Sequence, residues 1–377
     1  MTHKSPFVSQ LNIALVGAAS RGGAFAAAFA AHPRTRIHAV CDVRGDLLAQ
    51  AQVRTGATEA YTDYAEMLAK SDIDAVVIGT PMQLHAPQAI AALEKDIHVL
   101  SEVTAGVTMD ECRALVAAAR RSRAIYMMAE NYAYMKPNVL VRELARRGLF
   151  GELYYAEGEY IHELKALNEQ TPWRRKWQTG IDGITYPTHS LGPILQWLGD
   201  DRVARVYCEG SGHHYRDPRG VAYENQDSCV MLAKTVRGAL IKIRVDMLSN
   251  RPHAMTNYQL QGTTGCYESA RTRQFGERNK IWLAGLSPDA NTWLDLADLE
   301  AEHLPALWRN PPREALAAGH GGGDYFEVMD FVASIVDDAP CPIGIHAALD
   351  MTLPGLVSQA SIRAGGVWLD VPDSRAW

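Results

Sequence analysis

Short apolar runs alternate with alanine-rich helical patterns along roughly the first 130 residues. Four of the runs predict buried strands: NIALVGAA (12–19), RIHAVCDV (36–43), DAVVIGTP (74–81) and HVLSEV (98–103). The segments between them place apolar residues at helical spacing, as in RGDLLAQAQVRTG (44–56). Strands separated by helices of this length form βαβ units, so this part predicts an α/β domain with a doubly wound parallel sheet.

The pattern changes from about residue 150 onward. Apolar and polar residues alternate with period two, and glycines break the runs, as in ELYYAEGEYIHEL (152–164) and GALIKIRVDML (238–248). This alternation predicts a mostly antiparallel sheet accompanied by a few helices. A chain of 377 residues is long enough for two domains, and we predict them at 1–130 and 131–377.

The composition excludes several classes of protein. The chain is 47% hydrophobic and 21% charged, and its net charge of −6 gives no basic surface for nucleic acid. Its six cysteines lie far apart without a C-x-x-C pair, which indicates neither a disulfide framework nor a thiolate metal site. We find no apolar leader after a basic start and no run of about 18 apolar residues. We therefore expect a cytoplasmic protein with no metal, nucleic acid or membrane partner.

A glycine-containing turn, GAASRG (17–22), follows the first predicted strand and opens a helix. Backbone N–H groups of such a turn bind a pyrophosphate. Ala19 replaces the middle glycine of the usual G-x-G-x-x-G pattern, but Asp42 ends the next strand, where an acid binds the adenine ribose and favours NAD over NADP despite nearby Arg44. The candidate cofactor-binding residues here are Gly17, Ala19, Ser20, Arg21, Gly22 and Asp42. The alternative is a tight turn that holds no cofactor.

The segment TPMQLHAPQAIAALEKDIHVLSEV (80–103) resembles the Gfo/Idh/MocA oxidoreductases, whose pattern is T-P-x-x-x-H followed by a strand ending in Glu-Lys-Pro. Residues 319–335 and 354–373 resemble the C-terminal half of the same superfamily. The resemblance implies an N-terminal Rossmann domain, a C-terminal α+β domain with an open sheet, and NAD at the cleft between them. It also implies contacts to this cofactor from Thr80, Pro81, His85, Glu102 and Asn131.

Two departures from this superfamily concern proton transfer. In the sugar and inositol dehydrogenases of the superfamily, a Lys follows the Glu that ends the strand of this pattern. An Asp stands four residues before a later His. Val103 and Thr185 occupy those positions in this chain. Loss of a positioned proton-transfer group typically costs 10²–10⁴-fold in rate, so a plain dehydrogenase needs substitutes for both groups.

One branch of the superfamily carries the same substitutions. The segments SEVTAGVTMDEC (101–112), YMMAENYAYM (126–135), GLFGELYYAEGEYIHEL (148–164) and YPTHSLGP (186–193) resemble the NAD-dependent glycosidases of glycoside hydrolase family 109. The chain departs from that family at Thr104, where the family has Pro, and at Ser190, where it has Gly. It departs further between Glu163 and Thr185, the segment expected to shape the sugar pocket.

The resemblance implies a redox-neutral reaction on a glycoside. The sugar is oxidised at C3, deprotonated at C2, loses its aglycone by elimination, adds water and is reduced again at C3, a route distinct from that of glycosidases with two carboxylates. It implies that His189 takes the O3 proton and that Tyr160 is the C2 base. Tyr186 and Glu130 would orient the substrate or the cofactor ribose.

Each of these residues also has an ordinary structural interpretation. Tyr160 sits in an alternating strand pattern, where a half-buried tyrosine usually packs. His189 at a helix start and Glu130 at a strand end fit simple hydrogen-bonding roles equally well. His162 and His320 are candidate substrate-binding residues, but the glycines after His320 also fit a hinge.

A basic segment, HELKALNEQTPWRRKWQTGIDG (162–183), falls where the family resemblance is weakest. Its cations are Lys165, Arg174, Arg175 and Lys176, and guanidinium groups bind carboxylate or sulfonate oxygens in pairs. We predict substrate binding by Lys165, Arg174 and Arg175. An anionic sugar is then a candidate, such as the substrate of NAD-dependent sulfoquinovosidases, beside a uronide or an N-acetylhexosaminide. The alternative is a solvated loop or an arginine that holds cofactor phosphate.

Three functions follow in order of preference. The first is an NAD-dependent glycosidase, the second an NAD-dependent sugar or inositol dehydrogenase, and the third a nicotinamide-binding sensor without catalysis. The expected partner is a small glycoside. Oligomers are usual in the superfamily and an open sheet is a natural interface, so we also expect a homo-oligomer.

Overall fold

A six-stranded parallel sheet forms the centre of the N-terminal unit. The structure is a computed structural model that describes residues 10–272 and 275–377. The strand order is β3-β2-β1-β4-β5-β6, the order of a doubly wound Rossmann sheet. The strands are β1 (Leu11–Val16), β2 (Thr35–Cys41), β3 (Glu59–Tyr61), β4 (Ala75–Ile78), β5 (His98–Glu102) and β6 (Tyr126–Ala129). The prediction of a parallel α/β domain is confirmed.

Helices connect these strands as the sequence predicts. They are α1 (Arg21–Ala24), α2 (Ala26–Ala31), α3 (Gly45–Thr55), α4 (Tyr64–Lys70), α5 (His85–Leu93) and α6 (Met109–Arg121). Helix α6 begins at a capping box, in which Thr108 accepts from the Glu111 amide and the Glu111 carboxylate accepts from the Thr108 amide. All four residues of β4 are buried, as expected for a strand with helices on both faces.

A nine-stranded mixed sheet forms the second unit. Its order is β14-β13-β12-β11-β7-β10-β9-β8-β15, and only β7 and β10 are parallel neighbours. The strands are β7 (Leu153–Ile161), β8 (Val203–Gly210), β9 (Ser228–Thr235), β10 (Leu240–Asp246), β11 (Met255–Gly262), β12 (Gly265–Glu268), β13 (Lys280–Leu283), β14 (Leu294–Asp295) and β15 (Leu369–Asp370). The predicted mostly antiparallel α+β domain is confirmed.

The second unit contains several helices, and one of them is almost wholly buried. They are α7 (Lys136–Arg146), α8 (Lys165–Gln170), α9 (Pro172–Trp177), α10 (Thr188–Leu198), α11 (Glu300–His303) and α12 (Ala306–Arg309). Ten of the eleven residues of α10 are buried. This helix therefore belongs to the core of the unit and has a fixed position against β7.

The domain division differs from the predicted one in one segment. The first unit ends at Ala129, but residues 312–348 pack with it, while residues 349–376 belong to the second unit. The segment contains α13 (Arg313–Ala317) and α14 (Gly323–Val336) and leads into α15 (Ile345–Arg363). Helix α14 buries Phe326, Phe331 and Val332, and the amide of Met128 in β6 donates to the Ile343 carbonyl at 2.9 Å. A boundary drawn from local sequence patterns misses such a return of the chain.

No helix of the described residues is long and apolar enough to cross a bilayer.

Candidate active site

Strand β7 and helix α10 bring Tyr160 and His189 together. Tyr160 lies near the end of β7, in the middle of the sheet, opposite Val245 and Thr256. Gly158 is on the same face of the strand, and a Cβ atom there would lie 2.2 Å from the Ser190 carbonyl oxygen. Because Gly158 has no side chain, the first turn of α10 lies directly on β7.

Four rings form the centre of this site. The Tyr160 and His189 ring centroids are 5.5 Å apart, and Tyr186 lies 5.4 Å from Tyr160 and 5.0 Å from His189. Tyr132, which sequence reasoning missed, stacks at 4.2 Å from His189. Tyr160 is 4% exposed and His189 7%, so both proton-bearing groups are largely shielded from water.

A buried carboxylate holds His189. The imidazole Nδ1 lies 2.8 Å and 3.1 Å from the two carboxylate oxygens of Glu130, whose side chain is 0% exposed. The Tyr132 amide donates to the same carboxylate at 3.1 Å. An Nδ1–H donor to a carboxylate fixes the ring orientation and leaves Nε2 as the nitrogen that takes up or releases a proton. Glu130 thus contacts His189 rather than an open surface, which differs from the expected contact with substrate or cofactor ribose.

Tyr160 also bonds to His162. Its hydroxyl lies 2.8 Å from the His162 Nδ1. Burial raises the pKa of the Tyr160 phenol above its usual range, while the charge of Arg174 opposes the rise. Burial, together with the charges of His253, Arg174 and His189, lowers the pKa of His162 to about 4. The resting pair is therefore a neutral phenol and a neutral imidazole.

Two of the predicted substrate-binding cations have partners within the protein. The Lys165 ammonium contacts the Glu163 carboxylate at 2.9 Å and the Asn250 side-chain oxygen at 2.8 Å. The Arg175 guanidinium contacts the Glu224 carboxylate at 2.5 Å and stacks on the Tyr223 ring. These side chains hold α8 and α9 to neighbouring loops, and their charges are compensated.

Arg174 has a different environment. Its guanidinium stacks 4.2 Å from the centre of the Trp173 ring and donates to the Gln178 side-chain oxygen at 3.2 Å. Its buried Nε has no hydrogen-bond partner among the described residues. Its charge acts on both Tyr160 and His162. Of the three predicted substrate-binding cations, Lys165 and Arg175 form ion pairs, and Arg174 has none among the described residues, which leaves its charge uncompensated beside the ring cluster.

The glycine-containing turn has the packing of a dinucleotide-binding turn. It runs from Gly17 to the start of α1, and a Cβ atom at Gly22 would lie 2.1 Å from the Val16 carbonyl oxygen. This close approach of helix to strand is the role of the last glycine in the dinucleotide fingerprint. The Ala19 amide donates to Asp42 at 3.0 Å, and Ser20 before α1 is exposed. The turn therefore fits a dinucleotide even though Ala19 replaces a glycine.

Asp42 lies just after β2, as predicted. Although its burial opposes ionisation, hydrogen bonds from Arg44 and Ala19 hold the pKa of its carboxyl group below the usual value. The Arg44 Nε lies 3.1 Å from the carboxylate. The acid that would bind the adenine ribose is thus ionised and shared with an arginine.

Arg21, predicted as a cofactor contact, is held by two carboxylates. Its Nε lies 2.5 Å from Glu102, and its two terminal nitrogens contact Asp324 at 2.6 Å and 2.9 Å. The His320 Nδ1 donates to the same Asp324 at 2.9 Å. Within the N-terminal unit these residues join the turn, the end of β5 and the start of α14. His320 thus lies with Arg21 and Asp324, and its predicted role in substrate binding stays a prediction.

The remaining predicted cofactor residues surround the ends of β4, β5 and β6. The His85 Nε2 lies 2.8 Å from the Thr80 carbonyl oxygen and its Nδ1 3.0 Å from that of Thr104, so the buried ring joins the ends of β4 and β5. Pro81 precedes the 3₁₀ turn Met82–Leu84, and Asn131 is buried at the start of another, Asn131–Tyr134. These positions suit a cofactor site at the carboxyl ends of the strands.

Two residues that the motif resemblance did not single out lie close in sequence to residues that it did. Tyr132 follows Glu130 within a segment already compared with a glycosidase motif, and Asp324 follows the glycine run after His320. His253 has no local signal, because its neighbour His162 is far away in sequence. Within the described residues, no group of three or more His, Cys, Asp or Glu side chains is arranged to hold a metal ion.

Comparison with protein families identifies two matching regions. Residues 11–130 match the oxidoreductase family with an NAD-binding Rossmann fold, and residues 134–376 match the C-terminal domain of glycosyl hydrolase 109. The N-terminal unit is thus an NAD-binding domain. The predicted NAD cofactor and the resemblance to glycoside hydrolase family 109 are both confirmed.

Individual relatives cover nearly the whole chain. A glycosyl hydrolase family 109 protein of Shewanella pealeana is 30% identical, over 98% of this chain and 86% of that protein. An alpha-N-acetylgalactosaminidase of Shewanella oneidensis is 28% identical over the same shares. Levoglucosan dehydrogenase, solved with NADH and levoglucosan, has a similar fold with a TM-score of 0.80 and 22% identity, over 97% of this chain and 100% of that one.

Proposed function

The chain belongs to glycosyl hydrolase family 109, and from this premise we propose that it is an NAD-dependent glycosidase that breaks the glycosidic bond by elimination. The observation that carries the proposal is the pairing of an imidazole and a phenol in one buried site, with ring centroids 5.5 Å apart. Glycosidases of the two-carboxylate type instead use one carboxyl group as the acid and a second one as the nucleophile or base. A reaction with separate proton transfers at O3 and C2 needs two groups such as these.

Bound NAD⁺ supplies the oxidation of the sugar at C3 and, at the end of the cycle, the reduction of the same carbon. A ketone at C3 acidifies the neighbouring C2–H bond, so that loss of the C2 proton can expel the aglycone from C1. The oxygen of water then adds at C1 while a proton returns to C2. The residues of the chain bind the sugar and move the protons.

His189 is the group proposed to take the O3 proton. Its Nδ1 is engaged by Glu130 at 2.8 Å, so Nε2 is the nitrogen that can accept the proton. The buried carboxylate fixes the orientation and the tautomer of the ring in which Nε2 can take up a proton. Glu130 acts as a positioning residue for His189.

Tyr160 is the group proposed to remove the C2 proton. Its hydroxyl lies 2.8 Å from the Nδ1 of His162, a neutral imidazole that holds the phenol in place beside His189. The positive charge of Arg174 favours the phenolate. Tyr186, in ring contact with both Tyr160 and His189, orients the sugar between them.

The sugar is proposed to carry an anionic group, a carboxylate or a sulfonate as in a sulfoquinovoside. Arg174 supports this because it has a rigid aromatic support in Trp173 and, among the described residues, no carboxylate partner. Lys165 and Arg175 give less support, since Glu163 and Glu224 compensate their charges. The alternative sugar is an N-acetylhexosamine, the class named in the Shewanella oneidensis relative.

A panel of aryl glycosides with neutral, N-acetylated and anionic sugars tests this choice. We expect the highest kcat/KM on an anionic sugar. The Arg174→Gln change should then lower that kcat/KM by about 10–100-fold, the usual loss when a charged hydrogen-bond partner of a ligand is removed. The matched change Arg175→Gln should have a much smaller effect. If the protein prefers a neutral or N-acetylated sugar and Arg174→Gln leaves its kcat/KM unchanged, the sugar does not carry the proposed anionic group.

A second candidate is an NAD-dependent sugar dehydrogenase. The Glu130–His189 pair favours it specifically, because oxidation of a secondary alcohol needs only one base at the reacting oxygen. The two functions are separated by digesting an aryl glycoside in D₂O with absorbance at 340 nm recorded in parallel. A glycosidase releases the phenol without accumulating NADH and incorporates deuterium at C2. A dehydrogenase accumulates NADH in step with an oxidised sugar, and a sensor does neither.

A further inference from the structure

A proline interrupts the hydrogen bonding of the helix that carries His189. Pro193 lies inside α10, four positions after His189. In a regular α-helix the N–H group at that position donates to the His189 carbonyl, but proline has no N–H and its ring crowds that carbonyl. His189 is only 7% exposed, so water is largely kept away. The carbonyl oxygen therefore needs a donor from elsewhere in the protein.

The donor is Tyr258 of β11. Its hydroxyl donates to the His189 carbonyl oxygen, although the two residues are 69 positions apart in the chain. Burial raises the pKa of Tyr258 well above the usual value, so the phenol keeps the proton that it donates. The Trp197 ring packs edge to face on the Tyr258 ring, with centroids 5.5 Å apart, and limits its movement. The phenol thus replaces the hydrogen bond that Pro193 removes.

Two glycines allow the start of α10 to approach its neighbours closely. Tyr258 lies opposite Gly158 in the sheet, and the added Cβ at Gly158 would collide with the first turn of α10. Further along the helix, a Cβ atom at Gly192 would lie 3.0 Å from the Glu130 Cγ. Glu130 in turn holds the His189 Nδ1 at 2.8 Å. The side chain and the backbone of His189 are thus held by separate residues, the side chain by Glu130 and the backbone by Tyr258.

We propose that Tyr258 is a positioning residue for His189, and that it acts by bonding the carbonyl that Pro193 leaves without its helical donor. The inference rests on the proposed glycosidase reaction, in which His189 takes the O3 proton. Its own content is separate, because it assigns a role to a residue that the proposed chemistry does not use. Glu130 fixes the orientation of the His189 ring, and Tyr258 fixes the backbone from which that ring extends.

Removal of the Tyr258 hydroxyl has two expected effects. A buried carbonyl without a donor costs free energy, so the folded protein loses stability. The first turn of α10 also shifts toward another donor, and a displacement of about 1 Å at a reacting group can cost about 100-fold in rate. Pro193→Ala opposes both effects, because alanine supplies the missing N–H and has no ring to crowd the carbonyl. The effect of Tyr258→Phe therefore depends on the residue at position 193.

The test is a double-mutant cycle of Tyr258→Phe and Pro193→Ala in the full-length protein with NAD, measured by kcat and KM on an aryl glycoside. With Pro193 in place, we expect Tyr258→Phe to lower kcat about 10–100-fold and to leave KM nearly unchanged. In the Pro193→Ala background, the same change should lower kcat by less than about threefold. The control is Tyr267→Phe, at a second buried tyrosine that packs on Trp197, and its kcat should equal that of the unaltered protein.

A merely structural role for the Tyr258 hydroxyl would lower the temperature of unfolding and leave kcat unchanged below that temperature. The inference is overturned if Tyr258→Phe does not change kcat, or if it lowers kcat equally in both backgrounds. Thermal unfolding of the same variants tests the hydrogen bond without catalysis, and equal losses from Tyr258→Phe in both backgrounds would also overturn the inference. Failure of the proposed function is a different result: the unaltered protein would hydrolyse no aryl glycoside, or NADH would accumulate with the product.

Discussion

At the scale of single residues, the environment of His189 decides whether it can move a proton. Its Nδ1 faces the carboxylate of Glu130, a side chain that is 0% exposed. A charge in such a place acts strongly on its neighbour because little water screens it. The catalytic part of the account therefore depends on Glu130 as much as on the two rings.

We expect Glu130→Gln to lower kcat by about 10²–10⁴-fold with little change in dinucleotide affinity, because the amide keeps the shape but no longer fixes the His189 ring in the tautomer that proton transfer at Nε2 needs. Steady-state kinetics and a fluorescence titration with NADH measure the two quantities. A kcat within about twofold of the unaltered protein would contradict the role given to Glu130.

His162 gives a pH-dependent contribution to stability. Its pKa in the folded protein is about 4 against a usual value of 6.5, so the unfolded chain binds more protons between these pH values. The neutral ring therefore stabilises the fold fully above about pH 6.5, and this contribution is lost as the pH falls toward 4.

We expect the stability difference between the unaltered protein and His162→Gln to shrink by about 1–2 kcal/mol from pH 7 to pH 4, a figure reduced for solvent screening of a half-buried ring. Urea unfolding at several pH values measures it. A difference that does not vary with pH would mean that His162 titrates normally.

Residue types were easier to predict than residue partners. Most of the tyrosines and histidines of the site were candidates from motif resemblance, but the neutralisation of Arg175 depends on Glu224, and the Lys165 ammonium is held in part by a hydrogen bond to Asn250. These contacts join residues 49 and 85 positions apart. No local pattern encodes such pairs, so the availability of Arg174 could be found only in the fold.

At the scale of elements, the site depends on the contact of α10 with β7. The alternating pattern of residues 152–164 predicted the strand, and the sequence placed a helix start at His189. It did not predict their contact, which depends on the missing side chain of Gly158.

We expect Gly158→Ala to destabilise the protein by about 2–3 kcal/mol or to displace α10, since the added Cβ would lie 2.2 Å from the Ser190 carbonyl oxygen. The temperature of thermal unfolding and kcat should both be lower than in the unaltered protein. Gly285→Ala is the control, because a Cβ there has no neighbour within 4 Å. Equal stability of the two variants would show that the helix does not lie where we describe it.

At the scale of the whole molecule, the chain returns to its N-terminal unit through residues 312–348. The sequence predicted two units of the right classes, because βαβ alternation and strand alternation differ in period. It did not show that this segment packs with the N-terminal unit, since an isolated helical pattern does not say which sheet it packs against. Asp324 on α14 ties the segment to Arg21 of the glycine-containing turn.

We expect Asp324→Asn to lower the free energy of unfolding by about 2–4 kcal/mol and to weaken NAD binding, because it breaks a buried ion pair at the cofactor turn. The control is Asp337→Asn, which removes the exposed partner of Arg34 and should cost less than about 1 kcal/mol. Urea unfolding and NADH fluorescence measure both effects. Equal losses in the two variants would argue against a special role for the Arg21 pair.

The central claim, that the sugar is oxidised and reduced within one hydrolytic cycle, is tested most directly with an aryl glycoside carrying deuterium at C3. We expect hydrolysis to slow relative to the unlabelled substrate, the released sugar to keep deuterium at C3, and no NADH to accumulate over many turnovers. Hydrolysis at the same rate for both substrates together with steady accumulation of NADH and a C3-oxidised sugar would contradict the account.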